Sequence, residues 1–270
     1  MKVRMYNVGF GDCFCLRDRK KSLLVDFGTN NSRIEGRPRR EIFDVIISDL
    51  STIKSKNLLL THFHMDHLSG LLYMMKKKDI SVDFGKIYLP DVFSKKEMSR
   101  TLVLLLLADL LKESGLPSRQ VSLFALVDAL LENKQNVELL SRGKLFENKY
   151  QALWPDTDVI RKETDEVYNR ICEDGKFKEV MDVLLEFAEK LRLIVWSMTA
   201  EGNKPAETVE KETDLTASEL TEQPEVRQKI IRAYVYEREF RRIKALPDFK
   251  KLLAWLNENQ INLRQFKHKI

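Results

Sequence analysis

Thr61-His62-Phe63-His64-Met65-Asp66-His67-Leu68-Ser69-Gly70 holds three of the chain's four histidines within six positions, with an aspartate among them. Imidazole and carboxylate are donors that a zinc ion takes, at about 2.0–2.2 Å. On one regular strand, alternation puts His62, His64 and Asp66 on one face and His67 on the other. On one helix the four fan out. The spacing is best served by a loop at a strand end, turning from strand into helix, where all four donors converge. The flanks provide that setting: apolar Leu58-Leu59-Leu60 predicts a short buried strand over Asn57–Leu60, and Leu68–Met75 predicts a helix. Gly70 is expected to let the backbone pass close to the site. His268, alone and flanked by lysines, reads as a solvated residue rather than a ligand.

Toward the N-terminus the pattern is strand-rich. Val3–Val8, Cys13–Arg17 and Ser22–Phe27 read as strands, with a turn at Gly9-Phe10-Gly11-Asp12 and a strand end at Asp26-Phe27-Gly28-Thr29. Asn30–Arg40 reads as loop from its Asn, Ser, Gly and Pro content, and Glu41–Ile53 as a helix. Lys86–Leu89 is a further strand ending at Pro90.

From about residue 94 the character changes. Ser94–Glu113 and Ser118–Asn133 are helical stretches separated by Leu116-Pro117; Val137–Leu140, Lys144–Phe146 and Tyr150–Trp154 are strands. Asp165–Val195 is mostly helical with a break near Gly175, and helices resume at Glu225–Lys244 and Asp248–Asn257. Ala200–Pro224 has little to bury and is expected to be a mobile linker.

A length of 270 residues, 43% hydrophobic and 32% charged, suits a large globular domain or a domain with an insertion. The net charge of +5 is uneven: residues 1–100 hold 19 Lys/Arg against 12 Asp/Glu. A basic N-terminal part suits an anionic substrate such as a phosphodiester, although no aromatic-interleaved basic stripe marks a nucleic-acid groove. Cys13, Cys15 and Cys172, without a secretory pattern, read as reduced thiols in a cytoplasmic protein. The strongest apolar run, Leu102 to Ala108, is too short to span a bilayer, so no membrane partner is expected.

The histidine segment resembles the His-x-His-x-Asp-His signature of the metallo-β-lactamase superfamily. Val8-Gly9-Phe10-Gly11-Asp12-Cys13 and Leu23-Leu24-Val25-Asp26-Phe27-Gly28 look like the paired opening strands of that fold, closest to the hydrolase-domain branch of bacterial competence (DNA-uptake) proteins. Leu139–Gly143 and Tyr150–Pro155 resemble a later hairpin of the same branch. The resemblance implies an α/β fold, the αββα sandwich of the superfamily with a large helical insertion. The expected organisation is the N-terminal half of that fold over 1–93, a helical insertion over 94–135, a β-hairpin over 136–156, and a helical elaboration over 157–270. It further implies that His62 and His64 bind a first zinc, that Asp66 and His67 bind a second, and that Asp26 supports the loop without touching metal. Asp66 would orient or deprotonate the attacking water. The implied reaction is zinc-dependent hydrolysis of an ester or phosphodiester, with a small molecule or nucleic acid as substrate.

The superfamily completes its shell with a Gly-Asp turn and at least one later histidine. After His67 the sequence offers only His268, and neither Thr-Gly-Asp nor Ser-Gly-Asp occurs. The C-terminal half of the fold is therefore expected to be missing. A truncated chain, a divergent member and a second chain supplying the missing half all remain open, and each implies weak activity by this chain alone. The alternative function is a non-catalytic scaffold that binds a partner protein through its helical region.

Overall fold

A computed structural model describes residues 1–18, 21–77, 83–112, 122–133, 135–173, 175–200, 238–259, 261 and 263. Its contacts divide the chain into two compact units, Met1–Asp91 with Ala125–Ile160, and Val92–Phe124 with Arg161–Leu263. The Ala200–Pro224 linker (beyond residue 200), the helical expectation over 225–237, and His268 lie outside the described residues.

The first unit is built on a six-stranded sheet in the order β1-β2-β3-β6-β7-β8. Its strands are β1 (Lys2–Met5), β2 (Phe14–Asp18), β3 (Lys21–Val25), β6 (Ser55–Leu59), β7 (Ile87–Pro90) and β8 (Val137–Leu140). β1, β2 and β3 pair antiparallel, and β3, β6, β7 and β8 pair parallel. Parallel neighbours need crossovers, and α1 (Arg39–Ser51) supplies the one from β3 to β6 and α2 (Met65–Met75) the one from β6 to β7. Cys15, Leu24, Leu58, Ile87 and Val137 stand side by side across the sheet and are all buried. α1 is tied to this face, because Arg4 Nη1 and Arg17 Nη2 reach the Asp49 carboxylate at 2.6 and 2.9 Å, and the Tyr6 hydroxyl joins them. Phe43, Ile46, Ile47 and Leu50 of α1 and Leu68, Leu71, Leu72 and Met74 of α2 fill the core. Each such side chain contributes about 1.5–3 kcal/mol by leaving water. On the opposite face, Leu23, Val25, Tyr88 and Leu140 pack with Phe146 and Ala152 from the hairpin of β9 (Leu145–Phe146) and β10 (Tyr150–Gln151).

The second unit is helical. Leu102–Leu107 of α3 (Ser99–Lys112) are buried throughout. Buried Arg192 of α6 (Lys178–Trp196) is satisfied by Glu189 Oε2 at 3.0 Å and the Phe93 carbonyl at 3.4 Å. The remaining α-helices among the described residues are α4 (Ser122–Glu132), α5 (Thr157–Cys172), α7 (Arg238–Ala245) and α8 (Phe249–Glu258). No helix among the described residues is long and apolar enough to cross a membrane.

Three local features differ from the sequence expectation. The expected loop over 30–40 contains a miniature hairpin, β4 (Arg33–Ile34) and β5 (Arg37–Pro38). Its turn residues Glu35 and Gly36 take φ of 48° and 78°, as a tight two-residue hairpin turn requires. α5 begins at Thr157 rather than near Asp165, because the Asp156 side chain accepts from Val159 N at 3.3 Å and caps it. Gly70 makes room for a neighbouring ring, not for the site: a Cβ there would lie 2.6 Å from Phe27 Cδ2 and Cε2.

Gly70→Ala therefore sets two effects against each other in α2. Helix propensity alone favours alanine by about 1 kcal/mol, whereas overpacking against Phe27 costs about 1–3 kcal/mol. Urea unfolding should show net destabilisation. A stabilised variant would contradict the close Gly70–Phe27 packing.

Candidate metal centre

Asp26 sits just past the end of β3 with its backbone at φ 52° and only 2% exposed. An aspartate tolerates the left-handed region better than most residues, but the conformation still costs about 1–2 kcal/mol. The surroundings hold it there. Its N–H donates to Leu59 O at 2.9 Å, continuing the β3–β6 ladder by one step. Its carboxylate is thereby aimed at the segment following β6. Oδ1 accepts from Thr61 N at 2.8 Å, and Oδ2 accepts from Thr61 Oγ1 at 2.7 Å and from His67 Nδ1 at 2.9 Å.

These bonds decide two ring tautomers. A carboxylate only accepts, so His67 carries its proton on Nδ1 and directs Nε2 away from Asp26. The Thr61 hydroxyl spends its single proton on Asp26, so its 3.0 Å contact with His62 Nδ1 is a bond donated by the ring. His62 is therefore also protonated on Nδ1, with Nε2 as its donor atom. The same arrangement orients metal-binding histidines generally, through a carboxylate or hydroxyl behind the ring. The rings come together: centroids of His62 and His67 are 3.6 Å apart, and those of His62 and His64 are 4.9 Å apart.

The turn from strand into helix is sharper than the apolar pattern indicated. His64 is the N-cap of α2, and its carbonyl accepts from His67 N at 3.0 Å and Leu68 N at 3.1 Å. Asp66 and His67 thus occupy the first helical turn, where the helix macrodipole favours the Asp66 carboxylate. Asp66 Oδ2 lies 3.7 Å from His67 Nε2.

Asp12 was not singled out from sequence, yet its carboxylate stands 3.6 Å from His67 Nδ1. It is brought there by backbone bonds, Asp12 N to Asp66 O at 3.2 Å and Gly28 N to Asp12 O at 3.2 Å. Gly11 and Gly28 allow this approach, since a Cβ on Gly11 would meet Gly28 O at 2.3 Å and one on Gly28 would meet the Asp66 carbonyl carbon at 2.6 Å. The signal was present in Gly11-Asp12 and Gly28, but only tertiary packing shows what the glycines pass.

Asp12, Asp26 and His67 each place one donor atom within 4.8 Å of the others, a group able to hold a metal ion. His67 Nδ1, which lies 3.6 Å from Asp12 Oδ2, is already the donor of the hydrogen bond to Asp26. The Nε2 side of His67, 3.7 Å from Asp66 Oδ2, carries no such competing bond to Asp26. Imidazole nitrogen and carboxylate oxygen are donors that a metal ion takes, and the group of that kind among the described residues is Asp12, Asp26 and His67, without His62, His64 or Asp66. Burial opposes charging the His67 ring, but the Asp26 hydrogen bond and the charges of Asp26, Asp66 and Asp12 outweigh it and raise its pKa above the ordinary 6.5.

Residues 6–91 match the family model described as the metallo-beta-lactamase superfamily. No curated protein and no solved structure matches the chain. The mixed α/β architecture, with a six-stranded sheet and eight α-helices among the described residues, is consistent with a metallo-β-lactamase-type fold. Every residue of the centre lies within the matched stretch.

In the metal-free protein the His67–Asp26 pair stabilises the fold fully below about pH 6.5, and that contribution is lost as pH rises through the higher folded-state value. Asp26→Asn keeps a residue tolerant of positive φ but removes the charge. Urea midpoints between about pH 6 and pH 9 should fall less steeply for the variant than for the parent. Identical profiles would show that Asp26 does not hold the His67 proton.

Proposed function

We propose that this chain is a zinc-dependent hydrolase of the metallo-β-lactamase type, acting on an ester or phosphodiester. The observation that carries the reading is the Asp26 hydrogen-bond array, which gives His62 and His67 the same tautomer and presents both Nε2 atoms as donors. Superfamily members typically are metal-dependent hydrolases, and the matched stretch covers all these residues.

In this reading His62 and His64 hold one zinc, and Asp66 and His67 hold a second. Bound metal supplies Lewis acidity, polarising the scissile group and acidifying water. The chain's own residues do the rest. Asp66 orients the attacking water and accepts its proton. Thr61 and Asp26 keep the rings from rotating, and buried Phe63 excludes solvent behind the loop. The Gly-Phe-Gly-Asp turn at 9–12 supports placing the chain nearest the DNA-uptake hydrolase branch. The three free cysteines support a reducing, cytoplasmic setting. The helical unit is proposed to contact a partner protein.

Metal analysis tests the assignment. Purified protein should carry about two zinc equivalents per chain, and His64→Ala should abolish hydrolysis of bis(p-nitrophenyl) phosphate and generic esters. Under about a tenth of an equivalent, with turnover unchanged by the mutation, would leave a non-catalytic scaffold as the better account.

A further inference from the structure

β1 ends the six-stranded sheet, and among the described residues no strand lies on its outer side. Its pairing with β2 fixes which of its backbone groups are spent. Tyr6 N donates to Cys13 O at 3.0 Å, and the register sets Arg4 opposite Cys15 and Lys2 opposite Arg17. Hydrogen-bonded pairs alternate along an antiparallel ladder, so Lys2, Arg4 and Tyr6 turn their N–H and C=O groups to β2. Val3 and Met5 turn theirs to the open edge, where no backbone bond reaches them among the described residues.

The side chains of β1 alternate with the same period. Arg4 lies on the α1 side, held by Asp49 Oδ1 at 2.6 Å. Met1, Val3 and Met5 lie on the hairpin side, where the Tyr150 hydroxyl meets Met1 Sδ at 3.4 Å. Val3 stands opposite Leu16 and Met5 opposite Phe14, and those two pack against the cluster under the β9–β10 hairpin. The apolar layer thus continues from that cluster to the edge of the sheet, but its cover stops there. Met1 is 74% exposed, Val3 58% and Met5 80%. Sheets commonly guard an open edge with charge. Here Asp49 draws Arg4 toward α1, and Lys2 is the other charge on the strand.

We propose that β1 pairs with β1 of a second copy of this chain, antiparallel about a two-fold axis at Val3. In that register Val3 N–H meets the Val3 carbonyl of the second copy in both directions, and Met5 N–H meets its Met1 carbonyl. The same register sets Met1 against Met5 and Val3 against Val3 on one face, so the apolar strip runs unbroken across both copies. A slip of one residue loses both matches at once: apolar side chains meet the charged face, and backbone groups already spent on β2 meet the edge. A strand whose backbone and side-chain patterns read alike in both directions fits itself, as an isologous dimer requires. Lys2 then stands opposite Arg4 of the second copy, a like-charge pair that weakens the contact. An edge of four residues is also small against the roughly 1,200 Å² of stable complexes. The dimer is therefore weak, and salt strengthens it by screening that pair. It requires neither metal nor the hydrolase reading.

Sedimentation velocity of the full chain from about 1 to about 200 μM tests it, with chelator present to exclude metal-bridged association. The mean mass should climb from monomer toward dimer across that range. Association should be tighter at about 0.5 M salt than at about 0.05 M. Val3→Asp should stay monomeric throughout. Lys2→Glu sets a carboxylate opposite Arg4 of the second copy. It should tighten association by about 2–30-fold, through two symmetry-related cross-strand pairs, and reverse the salt dependence. Both substituted positions are exposed, and unfolding curves matching the parent's will show that the fold is retained. A monomer at every concentration overturns the proposal, as does a dimer that Val3→Asp leaves intact. Weaker association in Lys2→Glu, or assembly beyond the dimer, overturns it as well.

Discussion

The Asp26 carboxylate is the interaction on which the centre depends. It is buried, it stands on a left-handed backbone, and it accepts three hydrogen bonds from Thr61 and His67. Each of those features is costly or neutral alone. Together they convert the register of the β3–β6 ladder into the orientation of two imidazole rings. A one-residue slip in that ladder would turn the carboxylate to the other face of the sheet and leave the histidine segment without support. The sheet thus acts on chemistry through one side chain, and the parallel crossover from β6 into α2 delivers the partner groups.

Close backbone packing is the second constraint. Phe27 N donates to His67 O at 2.7 Å, while its carbonyl accepts from Gly70 and Leu71 at 2.8 and 3.1 Å. Ser69 Oγ accepts from Thr29 N and donates to Thr29 O, both inside the protein. With the Gly11 and Gly28 approaches, three segments distant in sequence become one rigid body around the rings. Rigidity of this kind holds metal-binding side chains in place before any ligand arrives.

Much of this was legible in the sequence, for identifiable reasons. The His62, His64, Asp66 and His67 spacing, between an apolar strand and an apolar helix, predicts a converging loop, and alternating residues in β2 and β3 predict the sheet. The strand-end position of Asp26 also suited its expected supporting role, and the structure gives that carboxylate its hydrogen-bond partners. Other features were hidden. Asp12 belongs to the centre only through tertiary hydrogen bonds, which leave no periodicity. Gly70 reads from the sequence as clearance for the site, whereas the space is taken by Phe27, a residue some forty positions earlier. The β4–β5 hairpin is too short for alternation to show, so its sequence reads as part of a loop. Charge counting found the basic excess of residues 1–100 but could not show that Arg33, Arg37, Arg39 and Arg40 are all exposed.

The account stands on which nitrogen of His67 meets the metal, because the two sides of the ring define different sites. Nitrogen-15 NMR of histidine-labelled protein, recorded as zinc is added, reads this directly. The account predicts that His67 Nε2, bare in the neutral ring, shifts as a metal ligand, while Nδ1 keeps the proton it donates to Asp26. Loss of the Nδ1 proton with Nε2 unchanged would place the ion among Asp12, Asp26 and His67 instead, and contradict the role given to Asp26.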